Sequence, residues 1–325
     1  MDLIYAARYT EVCDYKWKDW NESKTIPEGI WHVDTAAIPE FFETIQLPVN
    51  RSREYVVVSP SCDFGVCLQR YNHPAYDFEK WVGLQVNHKI GYRDIALPPR
   101  INPNRCRESD KYSIKCWSYT ETTFNEIPKN VKRWFLSNCE IDEHNVTAIP
   151  FGIFGNKDKL ETANAILNYN KKLNRHGTLY VNFQFYTTDR FRLFQHFDHY
   201  FKNTLCEREI PFEQYLDRLA THKFVLCPPS NGYDSYRVLE TIYMGAIPII
   251  DSRLGCISPY YKLQYPILAY PNLFMVNPLD LDKTYDNIME CWSGNINLEK
   301  VLWPYWENEI KSARSSMVEQ GTLTS

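Results

Sequence analysis

The stretch that most constrains this chain runs from Lys223 to Asp251: Lys-Phe-Val-Leu-Cys-Pro-Pro-Ser-Asn-Gly-Tyr-Asp-Ser-Tyr-Arg-Val-Leu-Glu-Thr-Ile-Tyr-Met-Gly-Ala-Ile-Pro-Ile-Ile-Asp. Its opening apolar run stops at Pro228-Pro229, a pair that cannot continue a β ladder. A loop containing Gly232 follows, and Asp234 or Ser235 is placed to cap a helix that runs to Met244. Gly245 supplies the left-handed stop. Ala246–Ile250 is then the next buried strand, close enough in sequence for a right-handed crossover between parallel neighbours. A chain built around such a unit needs a parallel sheet with helices on its faces.

The rest of the sequence extends the pattern. Short apolar runs at Leu3–Ala6, Tyr55–Val58, Val146–Pro150 and Thr178–Phe183 read as buried strands, several of them followed by polar, helix-like segments. Segment 189–203 carries Phe191, Phe194, Phe197, Tyr200 and Phe201 at helical spacing, which predicts an amphipathic helix on a core. His196 and His199 fall off that stripe and read as surface residues. Residues 156–176 are rich in Asn and Lys, with Leu160, Ala163, Ile166 and Leu167 at helical spacing, and the domain junction is placed there. The expected division is 1–155 and 177–297, with a last helix at 298–317 carrying Val301, Leu302, Tyr305 and Ile310. At 325 residues the chain has length for two cores.

Composition removes several classes of function. With 44% hydrophobic and 15% aromatic residues the chain is ordered and globular. A net charge of −4 lacks the electrostatic footprint of a phosphate-neutralising protein, so nucleic acid is not an expected partner. The uncharged stretch Tyr265–Leu279 contains Pro266, Pro271 and Pro278, and no membrane span is expected. The first residues lack a basic start and an apolar core, and the 10 cysteines form no Cys-x-x-Cys pair. Free thiols and a cytoplasmic location are the expectation. The sequons at Asn21, Asn50 and Asn145 carry little weight in that setting.

The unit at 223–251 brings a loop and a helix N-terminus to the carboxyl edge of a sheet, where backbone N–H groups and the helix dipole attract phosphate. Arg237 and Glu240 stand three residues apart, hence on one helix face, with Ser235 at its start. An arginine there can neutralise a diphosphate, and a glutamate one turn deeper can accept hydrogen bonds from two vicinal ribose hydroxyls. The same spacing also fits an ordinary surface Arg–Glu pair behind a capping serine.

The pattern Phe-x-Leu-Cys-Pro, Ser-x-Arg-x-x-Glu and Gly-Ala-Ile-Pro-Ile-Ile resembles the donor-binding motif of exostosin-like glycosyltransferases, glycosyltransferase family 47. Upstream, Tyr55-Val-Val-Val ending in Asp63-Phe64-Gly65 looks like the family's strand and Asp-aromatic-Gly turn. His144–Pro150 looks like its late first-domain strand, and Leu179–Phe185 followed by Arg190 resembles the strand that opens its nucleotide domain. The sequence departs from the pattern at Pro229-Ser230, where a basic residue and a glycine are usual. The resemblance implies an α/β architecture of GT-B type, two Rossmann-like domains facing across a cleft. It implies a UDP-sugar as donor substrate, with xylose, galactose or glucuronate among the sugars, a glycan hydroxyl as acceptor, and no cofactor. Arg190, Ser230, Asn231, Gly232, Ser235, Arg237 and Glu240 would bind the donor. Inverting transfer needs a base for the acceptor hydroxyl. Asp63 is the first candidate, with His73 and Asp77 in reserve, although an aspartate before Phe64-Gly65 also fits a plain turn. Arg237, Arg190 and the helix terminus would stabilise the leaving diphosphate.

Asp280-Leu-Asp282 has the form of a metal-binding Asp-x-Asp motif, but its place between Pro278 and Lys283–Trp292 makes Asp282 an expected helix N-cap. No metal site is expected there, nor at Cys62 and Cys67, which lack zinc spacing. Two other readings remain open. A transferase acting on a DNA base would use the cluster Arg93, Arg100, Arg105, Arg107 and Lys111. A silent nucleotide- or glycan-binding module would keep Glu240 without needing Asp63.

Overall fold

The structure is a computed structural model. It describes residues 3–20, 22–60, 65–68, 120–124, 126–139, 143–153, 161, 164, 175–185, 188–229, 234–251, 267–270, 272–292 and 298–322. The first half contributes β1 (Tyr15–Lys16), β2 (Gly29–His32), β3 (Tyr55–Ser59), β4 (Gly65–Leu68), β5 (Thr120–Phe124), β6 (Val131–Leu136) and β7 (Val146–Ala148). The second contributes β8 (Gly177–Val181), β9 (Thr204–Cys206), β10 (His222–Cys227), β11 (Ile247–Asp251) and β12 (Leu268–Tyr270). The helices are α1 (Ala6–Glu11), α2 (Ile38–Ile45), α3 (Thr188–Tyr200), α4 (Phe212–Thr221), α5 (Tyr236–Tyr243), α6 (Pro278–Trp292) and α7 (Trp303–Thr322).

These strands form two five-stranded sheets, each wholly parallel, in the orders β1-β2-β3-β6-β7 and β12-β11-β10-β8-β9. A separate parallel pair joins β4 to β5. Both large sheets are buried on two faces, which is why their strands are apolar at successive positions rather than alternating with polar residues. In β3, Tyr55 and Val57 face a cluster with Trp31, Trp134 and Phe41, the last from α2. Val56 and Val58 face the opposite way, into a larger cluster.

That larger cluster lies between the two sheets. It takes Ile30 and Phe135 from the first, Tyr180 and Val225 from the second, and Leu216, Leu239 and Trp306 from α4, α5 and α7. The outer face of the second sheet carries its own cluster, in which Leu179, Phe224 and Ile249 meet Phe197 of α3 and Leu281 of α6. Tyr9 packs edge-on against Trp303 at 5.2 Å, and Arg314 pairs with Asp14 at 2.8 Å, so the last helix lies against the beginning of the chain.

Several elements differ from the sequence reading. Leu3–Ala6 is not a strand: Leu3 makes a single antiparallel bridge to Leu302, and helix α1 begins at Ala6. Four apolar residues suit a strand and a buried lead into a helix equally well, and packing against Leu302 decides. Strands β2 and β6, which flank β3 in the first sheet, are additional to those the apolar runs predict. The sequon asparagine Asn50 is fully buried, its amide donating to the carbonyls of Lys24 and Thr44 at 2.8 Å each. Among the described residues no helix is long and apolar enough to cross a membrane.

Candidate functional site

Within the second sheet the chain starts at β8, steps to β9 on one side, and then continues through β10, β11 and β12 on the other. Between β8 and β10 the connections diverge, α3 to the outer face and α5 to the face between the sheets. Such a reversal opens a crevice at the carboxyl ends of the two strands, the position where parallel sheets bind ligands. Here those ends are Val181–Phe183 and Cys227–Pro229.

Arg190 ties the two ends together. Its side chain is buried, with Nε donating to the Pro229 carbonyl at 2.7 Å, Nη2 to Pro228 at 2.9 Å and Nη1 to Gln184 at 3.1 Å. Its guanidinium also lies 5.6 Å from the Phe183 ring centroid. This geometry makes Arg190 the clamp of the loop that leads to α5.

The N-cap of α5 is Ser235, in extended conformation at φ −143° and ψ 149°, yet its hydroxyl makes no capping hydrogen bond. The Oγ atom is buried and has no hydrogen-bonding partner. Asp234, the other expected cap, turns away. Its Oδ2 accepts the Phe151 N–H at 2.9 Å, and its own N–H donates to Asn138 Oδ1 at 2.9 Å. The next ring, Tyr236, stacks on Phe151 at 4.5 Å. The start of α5 is therefore fastened to the first half of the chain.

Arg237 follows in the first turn. It is half-buried, its Nε is buried without a hydrogen-bonding partner, and its guanidinium carbon sits 5.8 Å from the Tyr215 ring centroid. Glu240, one turn deeper, is buried, and its Oε2 accepts the Tyr215 hydroxyl at 2.8 Å. Burial holds the Tyr215 phenol far above its ordinary range, with the Glu240 charge adding to the shift and Arg237 opposing it. Burial likewise pushes Cys227 up to about 12, which leaves a neutral thiol beneath the helix. A helix start with an idle hydroxyl and an idle guanidinium donor can receive an anion, and a fixed carboxylate behind it can receive hydroxyl groups.

Of the residues expected at the site, Arg190, Ser235, Arg237 and Glu240 meet along the β8–β10 crevice and the first turns of α5. Ser230, Asn231, Gly232 and Asp63 lie outside the described residues, as do His73, Asp77 and the cluster from Arg93 to Lys111. The Asp282 expectation is corrected: α6 starts at Pro278, with Asn277 Oδ1 accepting the Leu279 N–H at 3.2 Å, so Asp282 stands inside the helix. There it accepts from Lys223 Nζ at 2.7 Å and Thr178 Oγ1 at 3.0 Å, at the amino ends of β10 and β8, opposite the crevice. His196 is also corrected, being buried among Phe197, Phe201 and Phe274, while His199 is exposed. The buried face of α3 is displaced from the expected stripe: Arg192, Leu193, His196 and Phe197 are buried, while Phe191 and Tyr200 are exposed. Nothing local in the sequence marks Tyr215, because only the packing of α4 on α5 brings it to Glu240.

Comparison with known proteins found no matching family model and no matching curated protein.

Proposed function

We propose that the chain is a nucleotide-sugar-dependent glycosyltransferase of GT-B type. The observation that carries this reading is the pair of idle donors at the start of α5, Ser235 Oγ and Arg237 Nε, beside the strand-order reversal. Leaving two buried polar groups unpaired is costly unless a ligand completes them. A diphosphate has the charge and the acceptor oxygens to do so. Glu240 is set one turn further along the same face, at the depth of a ribose. The motif resemblance to exostosin-like enzymes supports the same assignment, with residues 177–297 taking the donor and 1–155 the acceptor.

On this reading Arg237 and the amides of α5 neutralise the nucleoside diphosphate as it leaves, an electrostatic contribution made in place before the reaction starts. Asp63, which follows the carboxyl end of β3, takes the proton of the acceptor hydroxyl as that oxygen attacks the anomeric carbon from the opposite side. The sugar carbon exchanges one C–O bond for another and inverts. Cys13, Cys139, Cys206 and Cys227 are free thiols, which suits the cytoplasmic setting proposed for the enzyme.

Calorimetry with UDP, followed by incubation with a panel of nucleotide sugars and detection of slow hydrolysis, tests the proposal. Binding of UDP with hydrolysis of one donor is the expected result. Binding without hydrolysis or transfer would leave a nucleotide-binding module, and no binding of any nucleoside diphosphate would overturn the reading.

A further inference from the structure

We infer that Asn138 is a positioning residue for the anion site: from beyond the end of β6 it sets the first turn of α5, so that the first half of the chain governs how tightly the second half holds a diphosphate. This rests on the reading of α5 as the nucleotide site. Helix α5 has only 8 residues, a length at which a helix is marginal by itself, and no side chain caps its start. The two local candidates do not serve. The Ser235 hydroxyl has no hydrogen-bonding partner, and the Asp234 carboxylate accepts the Phe151 N–H instead. Order in the first turn has to come from other elements.

Asn138 supplies that order from an unfavourable backbone conformation. It is buried two positions beyond β6 at φ +47°, one of two non-glycine residues with positive φ among the described residues. Asparagine is one of the few side chains that tolerate this region, which most residues avoid. There its Oδ1 accepts the Asp234 N–H at 2.9 Å, across 96 positions of sequence. Asp234 is thus held at its amide by Asn138 and at its carboxylate by Phe151, while Tyr236 stacks on Phe151 at 4.5 Å. Ser235 lies between these two anchored residues, and Arg237 follows them directly. An anion gains most from donors already fixed in place, since ordering them on binding would subtract from affinity. The donor's hold therefore depends on the half proposed to take the acceptor.

The test measures UDP by calorimetry and uridine by saturation-transfer NMR in the unaltered chain, Asn138→Gly and Asn138→Ala. Both variants lose the amide, but glycine accepts the left-handed backbone and alanine strains it. UDP affinity is expected to fall by roughly 5-fold in each, the scale of one hydrogen bond, with uridine unchanged because it lacks the phosphates. Thermal denaturation should separate the two variants, Asn138→Ala melting lower than Asn138→Gly. Binding that follows the amide while stability follows the backbone is the signature of positioning. Equal losses for UDP and uridine, or a UDP loss that grows with the fall in melting temperature, would show a purely structural residue and overturn the inference. Unchanged UDP affinity in Asn138→Gly overturns it as well, with the anion site intact. If the unaltered chain binds neither ligand, the nucleotide site itself falls, and the inference with it.

Discussion

Arg237 is a guanidinium that folding alone would not select, since a buried donor without a partner lowers stability. Arg237→Met is therefore expected to leave the melting temperature unchanged or raise it, while UDP affinity falls by roughly 10-fold or more. Thermal denaturation beside calorimetry checks both halves. Arg190 should behave in the opposite way. Its three carbonyl bonds hold the crevice loops, so Arg190→Ala should cost roughly 2–4 kcal/mol in urea denaturation, and nucleotide binding would fall with the fold. At this scale the sequence is readable where the relation is local: Arg237 and Glu240 share one helix face because of the period of 3.6 residues alone, with Ser235 at the helix start. Arg190 was found, but nothing in its neighbours announces that its donors go to Pro228 and Pro229. Tyr215 and Asn138 had no local signal, because their partners stand on other elements.

Among the elements, the unit from β10 to β11 was legible almost residue by residue, with Gly245 at φ +73° ending α5 as expected. A Cβ at Gly245 would also lie 2.6 Å from Arg175 Nη2, which donates to the Met244 carbonyl. Gly245→Ala should therefore cost more than the ~1 kcal/mol of left-handed strain, read as a lowered urea midpoint. Strand β6 escaped notice because Lys132 and Arg133 interrupt its apolar run; one is exposed and the other half-buried on a strand otherwise in the core. Helix α6 was placed too late in the sequence, since Pro278 marks its first turn rather than a break before it. Asp282 is held below the usual carboxylate range, first by its hydrogen bond from Lys223, at the amino edge of the second sheet. Transfer activity should accordingly survive excess EDTA. Loss on chelation with rescue by manganese would bring the Asp280-Leu-Asp282 motif into the chemistry and count against the proposed site.

At the scale of the molecule, three histidines among the described residues set an acid limit. His32, His196 and His222 are each held below the ordinary value of 6.5, with burial the largest cause in every case. For His32, Asp34 counters burial while Lys16 and Lys18 add to it; for His222, the Arg218 carbonyl counters and His176 adds. A folded chain that resists protons the unfolded chain accepts loses stability as pH falls below 6.5, and the loss levels off only below the folded values, with nothing regained. The urea midpoint should be flat above pH ~7 and decline through pH ~6 to ~5, and His196→Phe should flatten part of that decline. Parallel layers were legible from the alternation of apolar runs and polar segments. Their join was not, because bonds such as Phe151 to Asp234 and Ile4 to Tyr243 connect residues far apart in sequence.

The position of α7 sets an order in time. Trp303, Trp306 and Ile310 complete the same buried cluster as Ile30, Val56 and Phe135, although the whole second sheet is encoded between them. During synthesis, the inner face of the first sheet cannot be fully covered until residues 303–310 have left the ribosome. The outer cluster of the second sheet, closed by α3 and α6, is complete sooner. A nascent chain of this protein thus carries an incompletely covered patch of valines and a phenylalanine until its last helix is made, and that surface is what a chaperone would meet first.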